Sequence, residues 1–343
     1  MSKVRIAILG TGGVSSAHAR GILANPDLVE CVALCDISDA SMHERSEQLG
    51  GVSNQYHDWR TMFSEIGDRI DAVDICLPHH LHSAAILDAL AAGKHVLCEK
   101  PMCIELEEAA RIVSAVEDSG LIYMSAHNQL FFPAVQEARR MLDAGFIGKL
   151  RWLRSQDCFA IRGQFGGTWR GKRELQGGGV LIDTGYHPTY RLLYLAGSRV
   201  AAVRGSFGRY AQAIEGEDTA SVQVRFENGA LGEILTSWAM PMPYQTHQIH
   251  LIGEKGQIFG SDDTLFYLPA GFNEPARMQV PHTGSMDSSW AQSFASQVEH
   301  FAHCIHGNQR PLHGAVEGYA TLEIILKSAE DADGWQETAR LQA

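Results

Sequence analysis

The sequence predicts an α/β chain of two domains, a doubly wound parallel sheet followed by an α+β half built on an open, mainly antiparallel sheet. Three observations predict it. Short apolar runs alternate with longer amphipathic stretches over the first 126 residues. Beyond Lys149, strand-like runs recur without regular helical spacers. The 343 residues allow two domains at roughly 100 to 200 residues each. The first domain is therefore placed at 1–126 and the second at 127–343.

Residues 4–9, 31–35, 72–77, 96–98 and 121–125 read as buried strands, with helices at 15–24, 39–49, 82–92 and 105–119 between them. Pro133 opens a helix that ends at Gly145. Strands are expected at 149–158, 199–209, 219–226, 230–238 and 246–252. Glu227-Asn228-Gly229-Ala230 and Gly253-Glu254-Lys255-Gly256 read as hairpin turns. Helices near 289–306 and 315–332 close the chain. The halves are joined without a low-complexity linker and are expected to share a tight interface, where a cleft forms.

With 45% apolar and 20% charged residues, the composition is that of a folded globular chain. The net charge of −12 repels phosphate backbones and anionic lipid, so neither nucleic acid nor a membrane is an expected partner. No apolar run approaches the roughly 18 residues of a membrane span, and the apolar start is too short for a signal-peptide core. A cytoplasmic location is expected. Cys31, Cys35, Cys76, Cys98, Cys103, Cys158 and Cys304 sit mostly in apolar stretches and form no CxxC pair. They read as buried reduced thiols, and no metal site is expected.

Gly10-Thr11-Gly12-Gly13-Val14-Ser15 follows the first strand and opens a helix. Glycines there let the backbone turn tightly and approach a pyrophosphate, which the amides and dipole of the helix N-terminus would hold. Ser15 is a small residue at the third glycine position. Asp36 ends the second strand 21 residues later, where an acid accepts hydrogen bonds from an adenosine ribose and repels a 2′-phosphate. No Arg or Lys follows closely, so NAD is expected rather than NADP. The competing reading of Asp36 is a cap on the next helix.

Chemistry in such sheets collects beyond the carboxyl ends of the strands. Two such ends are polar, Leu77-Pro78-His79-His80-Leu81-His82 and Leu97-Cys98-Glu99-Lys100-Pro101. A lysine at position 100 can donate to a substrate hydroxyl and stabilise the developing alkoxide; the alternative is a surface lysine paired with Glu99. Pro101 admits a cis bond after Lys100. The histidines read as donors beside a cofactor rather than as metal ligands. Further on, Gly177-Gly178-Gly179 runs into an apolar segment with Asp183 and His187 four apart. On a helix they share a face, and the carboxylate can orient the imidazole as a general base. The alternative there is a helix-stabilising contact without chemistry.

Four segments, GTGGVSSAH (10–18), DAVDICLPHHLH (71–82), AAGKHVLCEKP (91–101) and GGGVLIDTGYHPTYRLLYLAG (177–197), resemble in order and spacing the Gfo/Idh/MocA oxidoreductases. That family includes glucose-fructose oxidoreductase and inositol dehydrogenases. Residues 300–330 are similar to its closing helices, so His300, His303 and His306 fall in a packing helix. The resemblance implies an N-terminal Rossmann domain, a C-terminal domain on a large open antiparallel sheet, and homodimers or homotetramers formed through that sheet. It implies Lys100 on the reacting hydroxyl, His187 as acid/base and Asp183 as the residue that positions it. It further implies Gly10, Thr11, Gly12, Gly13, Val14 and Ser15 on the pyrophosphate and Asp36 on the ribose. Pro78, His79 and His82 would lie on the nicotinamide side, with Glu99 and Lys100 beside the nicotinamide ribose.

The chain also departs from the family. Leu130 replaces an arginine in the segment His127-Asn128-Gln129-Leu130-Phe131-Phe132-Pro133, where His127 and Asn128 are expected on the substrate side. Tyr190 stands where many members have Asp, and His79 and His80 replace a loop that more often contains Asn. In the loop-like segment 159–173, Trp169 and Arg170 are the expected specificity residues, since an aromatic face stacks on a sugar ring and a guanidinium binds hydroxyls or a carboxylate. The alternative is a solvated loop anchored by its tryptophan.

The expected activity is hydride transfer between NAD and a hydroxyl of a sugar, sugar derivative or cyclitol, aldose 1-dehydrogenation included. Two alternatives remain at this point: an NAD-dependent glycosidase working by transient oxidation, and a nucleotide-binding regulatory protein without turnover.

Overall fold

The computed structural model describes residues 2–161, 165–280 and 288–330. Arg162, Gly163 and Gln164 of the expected specificity loop, and the expected helix end at 331–332, lie outside the described residues.

The first half is built on β1 (Val4–Leu9), β2 (Val29–Cys35), β3 (Gln55–Tyr56), β4 (Ala72–Ile75), β5 (His95–Cys98) and β6 (Tyr123–Ser125). They form one sheet of order β3-β2-β1-β4-β5-β6, parallel at every pairing. Its helices are α1 (Ser15–Leu23), α2 (Asp39–Gln48), α3 (Trp59–Ile66), α4 (His82–Ala91) and α5 (Leu106–Ser119). The central strands are buried on both faces, which is why they read as continuous apolar runs. The order reverses between β1 and β4, and a crevice opens at such a switch point. β3 and α3 have no counterpart in the sequence reading: a two-residue strand shows no alternation. The cap on α3, where Asp58 accepts from the Thr61 amide at 2.8 Å, is its sequence signal.

In the second half, α6 (Pro133–Asp143) precedes β7 (Leu150–Cys158), the short helix α7 (Arg173–Gln176) and α8 (Tyr186–Ala196). The strands β8 (Val200–Gly208), β9 (Thr219–Phe226), β10 (Leu231–Ser237), β11 (Ile249–Gly253), β12 (Gly256–Ser261), β13 (Thr264–Pro269) and β14 (Ala276–Met278) follow. Their sheet runs β14-β13-β12-β11-β7-β10-β9-β8, antiparallel throughout except for the β7–β10 pair. Both expected hairpin turns join antiparallel neighbours, β9 to β10 and β11 to β12. On β9, Ala220, Val222, Val224 and Phe226 are buried while Ser221, Gln223 and Arg225 are exposed, so the sheet is covered on one face there. Helix α8 packs on β7 and β10.

The closing helices α9 (Ser289–Ile305) and α10 (Ala315–Glu330) return to the first half. Helix α9 packs against α1, and Asn25 reaches across to the Ala295 carbonyl at 2.9 Å. Helix α10 lies against α5 on one side and β8 on the other, tying the two sheets together. A chain cut at 126 therefore separates the sheets but not the helices that cover them. Among the described residues no helix is long and apolar enough to cross a membrane.

The join also buries a histidine pair. His127 and His313 meet Nδ1 to Nδ1 at 2.8 Å, so one ring donates and the other accepts, and the accepting ring must be neutral. Burial pushes His313 down to about 3 and holds His127 well below the ordinary histidine value. Unfolding releases both to titrate near 6.5, so their contribution is present above that pH and is lost as pH falls. Each such site costs about 1.4 kcal/mol per pH unit below pH 6.5 or so. The thermal midpoint is expected to drop steeply between about pH 6.5 and about pH 5, and calorimetry across that window checks it; a flat midpoint contradicts neutral burial.

Candidate active site

A cleft of about 630 Å³ runs from the β1–α1 turn, past the ends of β2 and β5, to the loop before α7 and the start of α8. One end of it is made by the glycine loop. Gly10 has φ +89°, and a Cβ there would sit 2.6 Å from the Cys76 carbonyl oxygen, so only glycine fits. Gly12 and Gly13 are different, for a Cβ at either meets no atom within 4 Å. The open space they leave faces the cleft, as close approach by a pyrophosphate requires.

The loop is fastened from behind. Ser15 is fully buried and donates to the Gly12 carbonyl at 2.7 Å, while Arg45 of α2 donates to Ser15 Oγ at 2.9 Å. Ser15 is therefore a packing and bracing residue and does not line the cleft. Asp36 accepts from the Thr11 amide at 2.6 Å and from the Ser38 amide at 2.9 Å. The cap on α2 is Ser38, whose Oγ accepts from the Ser41 amide at 3.2 Å, so the capping reading of Asp36 does not hold. Asp36 is half-buried on the cleft wall, where a ribose hydroxyl can reach it. Ile37 beside it is 91% exposed, an apolar rim for an adenine face.

Three residues that shape this wall were not assigned from the sequence. His18 of α1 lies fully buried with Nδ1 2.9 Å from Asp74 and Nε2 2.9 Å from Glu99. Burial opposes its protonation, but Asp74 and Cys76 outweigh burial and raise its pKa well above the usual value. The His18 contact in turn holds Glu99 low against the opposing pull of burial, so Glu99 is a fixed anion on the cleft wall. Trp290 and Phe294 of α9 also line the cleft, with Phe294 edge-on to His18 at 5.1 Å, brought there from the far end of the chain. His18 stands inside the GTGGVSSAH segment; Trp290 and Phe294 show only as an aromatic pair at helical spacing. His18, Asp74 and Cys76 are the one cluster among the described residues spaced for a metal ion, but both His18 nitrogens already face carboxylates.

At the other end, Lys100 follows β5 through a cis bond to Pro101. Its ammonium lies 2.7 Å from Asp183 Oδ1 and 3.0 Å from the Asp183 carbonyl, so it is no surface partner of Glu99. The second Asp183 oxygen accepts from Arg170 Nε at 2.9 Å. Burial works to raise the Asp183 carboxyl, and the two cations hold it far below the carboxylate range. The Arg170 guanidinium also stacks over Trp169 at 4.4 Å, and Trp169 meets the His79 ring edge-on at 4.7 Å. The loop carrying Trp169 and Arg170 is thereby fixed to the Lys100 end of the cleft, which it lines.

The expected Asp183–His187 pair is corrected. Gly177 takes φ +92°, residues 177–185 form turns, and α8 starts only at Tyr186, so the two residues do not share a helix face. With its carboxylate spent on Lys100 and Arg170, Asp183 does not orient the imidazole. His187 Nδ1 instead lies 2.7 Å from the Tyr190 hydroxyl, one turn on. Burial, aided by Lys100 and Arg191, lowers its pKa well below the usual histidine value, so the ring is neutral.

Pro78, His79, Glu99, Lys100, Asn128 and His187 line the cleft. Two histidines do not. His82 is fully buried, with its nitrogens 2.6 Å from the Pro101 carbonyl and 2.7 Å from the Leu77 carbonyl, so it braces both loops from behind. His127 sits behind Asn128 in the pair with His313. Leu130, in place of the family arginine, is a core residue.

Comparison with known proteins agrees with this arrangement. Residues 4–127 match the model of the oxidoreductase family with an NAD-binding Rossmann fold, and residues 135–259 match the GFO/IDH/MocA C-terminal domain. The chain is 25% identical over 329 residues to the scyllo-inositol 2-dehydrogenase (NAD(+)) of Bacillus subtilis (strain 168), covering 94% of this chain and 92% of that one. It is 26% identical to the D-glucoside 3-dehydrogenase of Escherichia coli (strain K12), over 97% and 96% of the two chains. The structure of levoglucosan dehydrogenase in complex with NADH and levoglucosan superimposes with a TM-score of 0.87 at 21% identity, covering 97% of this chain and 98% of that one, and shows the fold. The chain belongs to the GFO/IDH/MocA family of NAD-binding oxidoreductases.

Proposed function

We propose that this chain is an NAD-dependent dehydrogenase that oxidises a ring or anomeric hydroxyl of a sugar, sugar derivative or cyclitol. The observation that carries the reading is the convergence of Lys100 and His187, from opposite halves of the chain, at the end of the cleft beyond Glu99. Gly12 and Gly13 would receive the pyrophosphate, Asp36 the adenosine ribose, and Glu99 with Pro78 and His79 the nicotinamide side. When bound, NAD supplies the hydride acceptor. Lys100 Nζ donates to the substrate oxygen and stabilises charge as it develops. The ammonium is kept in place by the Asp183 carboxylate rather than by solvent. His187, neutral at physiological pH, takes the hydroxyl proton. Trp169 offers an aromatic face to a sugar ring, and the exposed part of Arg170 offers N–H donors to its hydroxyls. The relatives named for inositol and glucoside support the substrate class.

The exposed face of the second sheet, carrying Gln223 and Arg225 on β9, is the surface we assign to a homodimer or homotetramer. Seven free cysteines, six of them buried, suit a reducing cytoplasmic setting.

Two outcomes are expected with a panel of aldoses, cyclitols and sugar acids, read by NADH absorbance. Lys100→Ala lowers kcat about 100-fold or more; undiminished turnover contradicts its role, and sugar release without net NADH favours glycosidic cleavage instead. Asp36→Ala raises the KM for NAD about tenfold, the loss of one charge-assisted hydrogen bond, and narrows the preference over NADP. An unchanged preference overturns the ribose assignment.

A further inference from the structure

Tyr190 is fully buried on α8 and takes no part in the scheme above. Its hydroxyl lies 2.7 Å from His187 Nδ1 and 3.2 Å from the backbone nitrogen of Gln129, and its ring stacks on His127 at 4.1 Å with 10° between the planes. The stack and the surrounding core leave this hydroxyl no freedom to swing away.

The direction of each hydrogen bond follows from what each group can do. A backbone N–H only donates, so the Gln129 amide gives its hydrogen to Tyr190 Oη. The hydroxyl hydrogen then needs an acceptor. Among the described residues, His187 Nδ1 is the one within reach. A buried O–H left without an acceptor costs about 1 to 3 kcal/mol, so this bond decides the arrangement. We propose that Tyr190 donates to His187 Nδ1 and thereby keeps the ring hydrogen on Nε2, the nitrogen left open to the cleft.

This rests on the dehydrogenase reading and adds a positioning residue to it. At rest, His187 then presents an N–H beside the Lys100 ammonium, two donors toward one substrate oxygen. In oxidation the substrate O–H bond breaks, an Nε2–H bond forms, and the C–H electron pair leaves with its hydrogen to the oxidised nicotinamide. Nε2 can take that proton only from the tautomer that carries hydrogen on Nδ1. In that tautomer Tyr190 Oη accepts from both Nδ1 and Gln129, and its own hydrogen loses its acceptor. Tyr190 thus sets the fraction of His187 that is ready to act as a base. A carboxylate in its place would accept from Nδ1 and hold the opposite tautomer. The charged groups facing the ring are Lys100, Arg191 and Asp183, and the neighbouring titratable groups are His127 and Tyr190. None of the charged groups is hydrogen-bonded to Nδ1.

The test is nitrogen-15 spectroscopy of the full-length protein labelled at histidine, with and without NAD. His187 is assigned by the signals lost in His187→Gln. The expected wild-type spectrum shows Nε2 protonated and Nδ1 bare. In Tyr190→Phe, which removes only the hydroxyl, the two nitrogens shift toward each other as both tautomers become populated. A protonated Nδ1 in the wild type overturns the proposal, as do ring signals unchanged in Tyr190→Phe. If that variant does not fold, the wild-type spectrum decides alone. The expected spectrum in a protein that oxidises no sugar or cyclitol would refute the dehydrogenase reading and leave the tautomer assignment standing.

Discussion

One buried carboxylate holds the catalytic end of this molecule together. Asp183 shares its oxygens between Lys100, from the end of a strand in the first sheet, and Arg170, from the loop before α7. Burying an unpaired carboxylate costs several kcal/mol, and here two cations in hydrogen-bonding contact offset it. The same contact sets the distance between the two halves of the cleft. It fixes the lysine we propose for the substrate oxygen and the tryptophan–arginine loop we propose for the rest of the ring. Removing any member leaves the others buried or free to swing, so position and charge cannot be separated in this cluster.

The nucleotide end is organised by the same logic with different groups. Asp36, Ser15 and Arg45 brace the glycine loop through its own backbone and side chains, so the loop is rigid before any ligand arrives. Glu99 is held ionised by a buried imidazolium whose other partner is Asp74. Preorganisation of this kind is how a site avoids spending binding energy on ordering itself. The closing helices complete it: α9 supplies an aromatic wall and α10 locks the two sheets, so the last part of the chain acts on the first.

What was legible in the sequence was what is local. A strand running into Gly10 and Gly12, an acid at the end of the next strand, and a lysine after a buried strand each announce themselves within a few residues. The relation between Asp183 and His187 did not, because spacing of four means one face only on a helix. The glycine run delays that helix until Tyr186. The true partner of His187 stands three residues on, at a spacing that helices also bring together. His82 and His127 looked like site residues because they flank ones that are, yet tertiary packing turns both away from the cleft. His18, Trp290 and Phe294 reach the site from distant segments, and β12 hides its alternation because Gly256 and Gly260 occupy two of its three buried positions.

The central claim is that Asp183 acts through Lys100, and a double-mutant cycle on kcat/KM measures it directly. With Asp183→Asn, Lys100→Ala and the pair combined, residues that work as one unit give losses that do not multiply. The account predicts that the double variant is no slower than the worse of the two single variants. Losses that multiply in the double variant would show the carboxylate and the lysine acting independently and would contradict it.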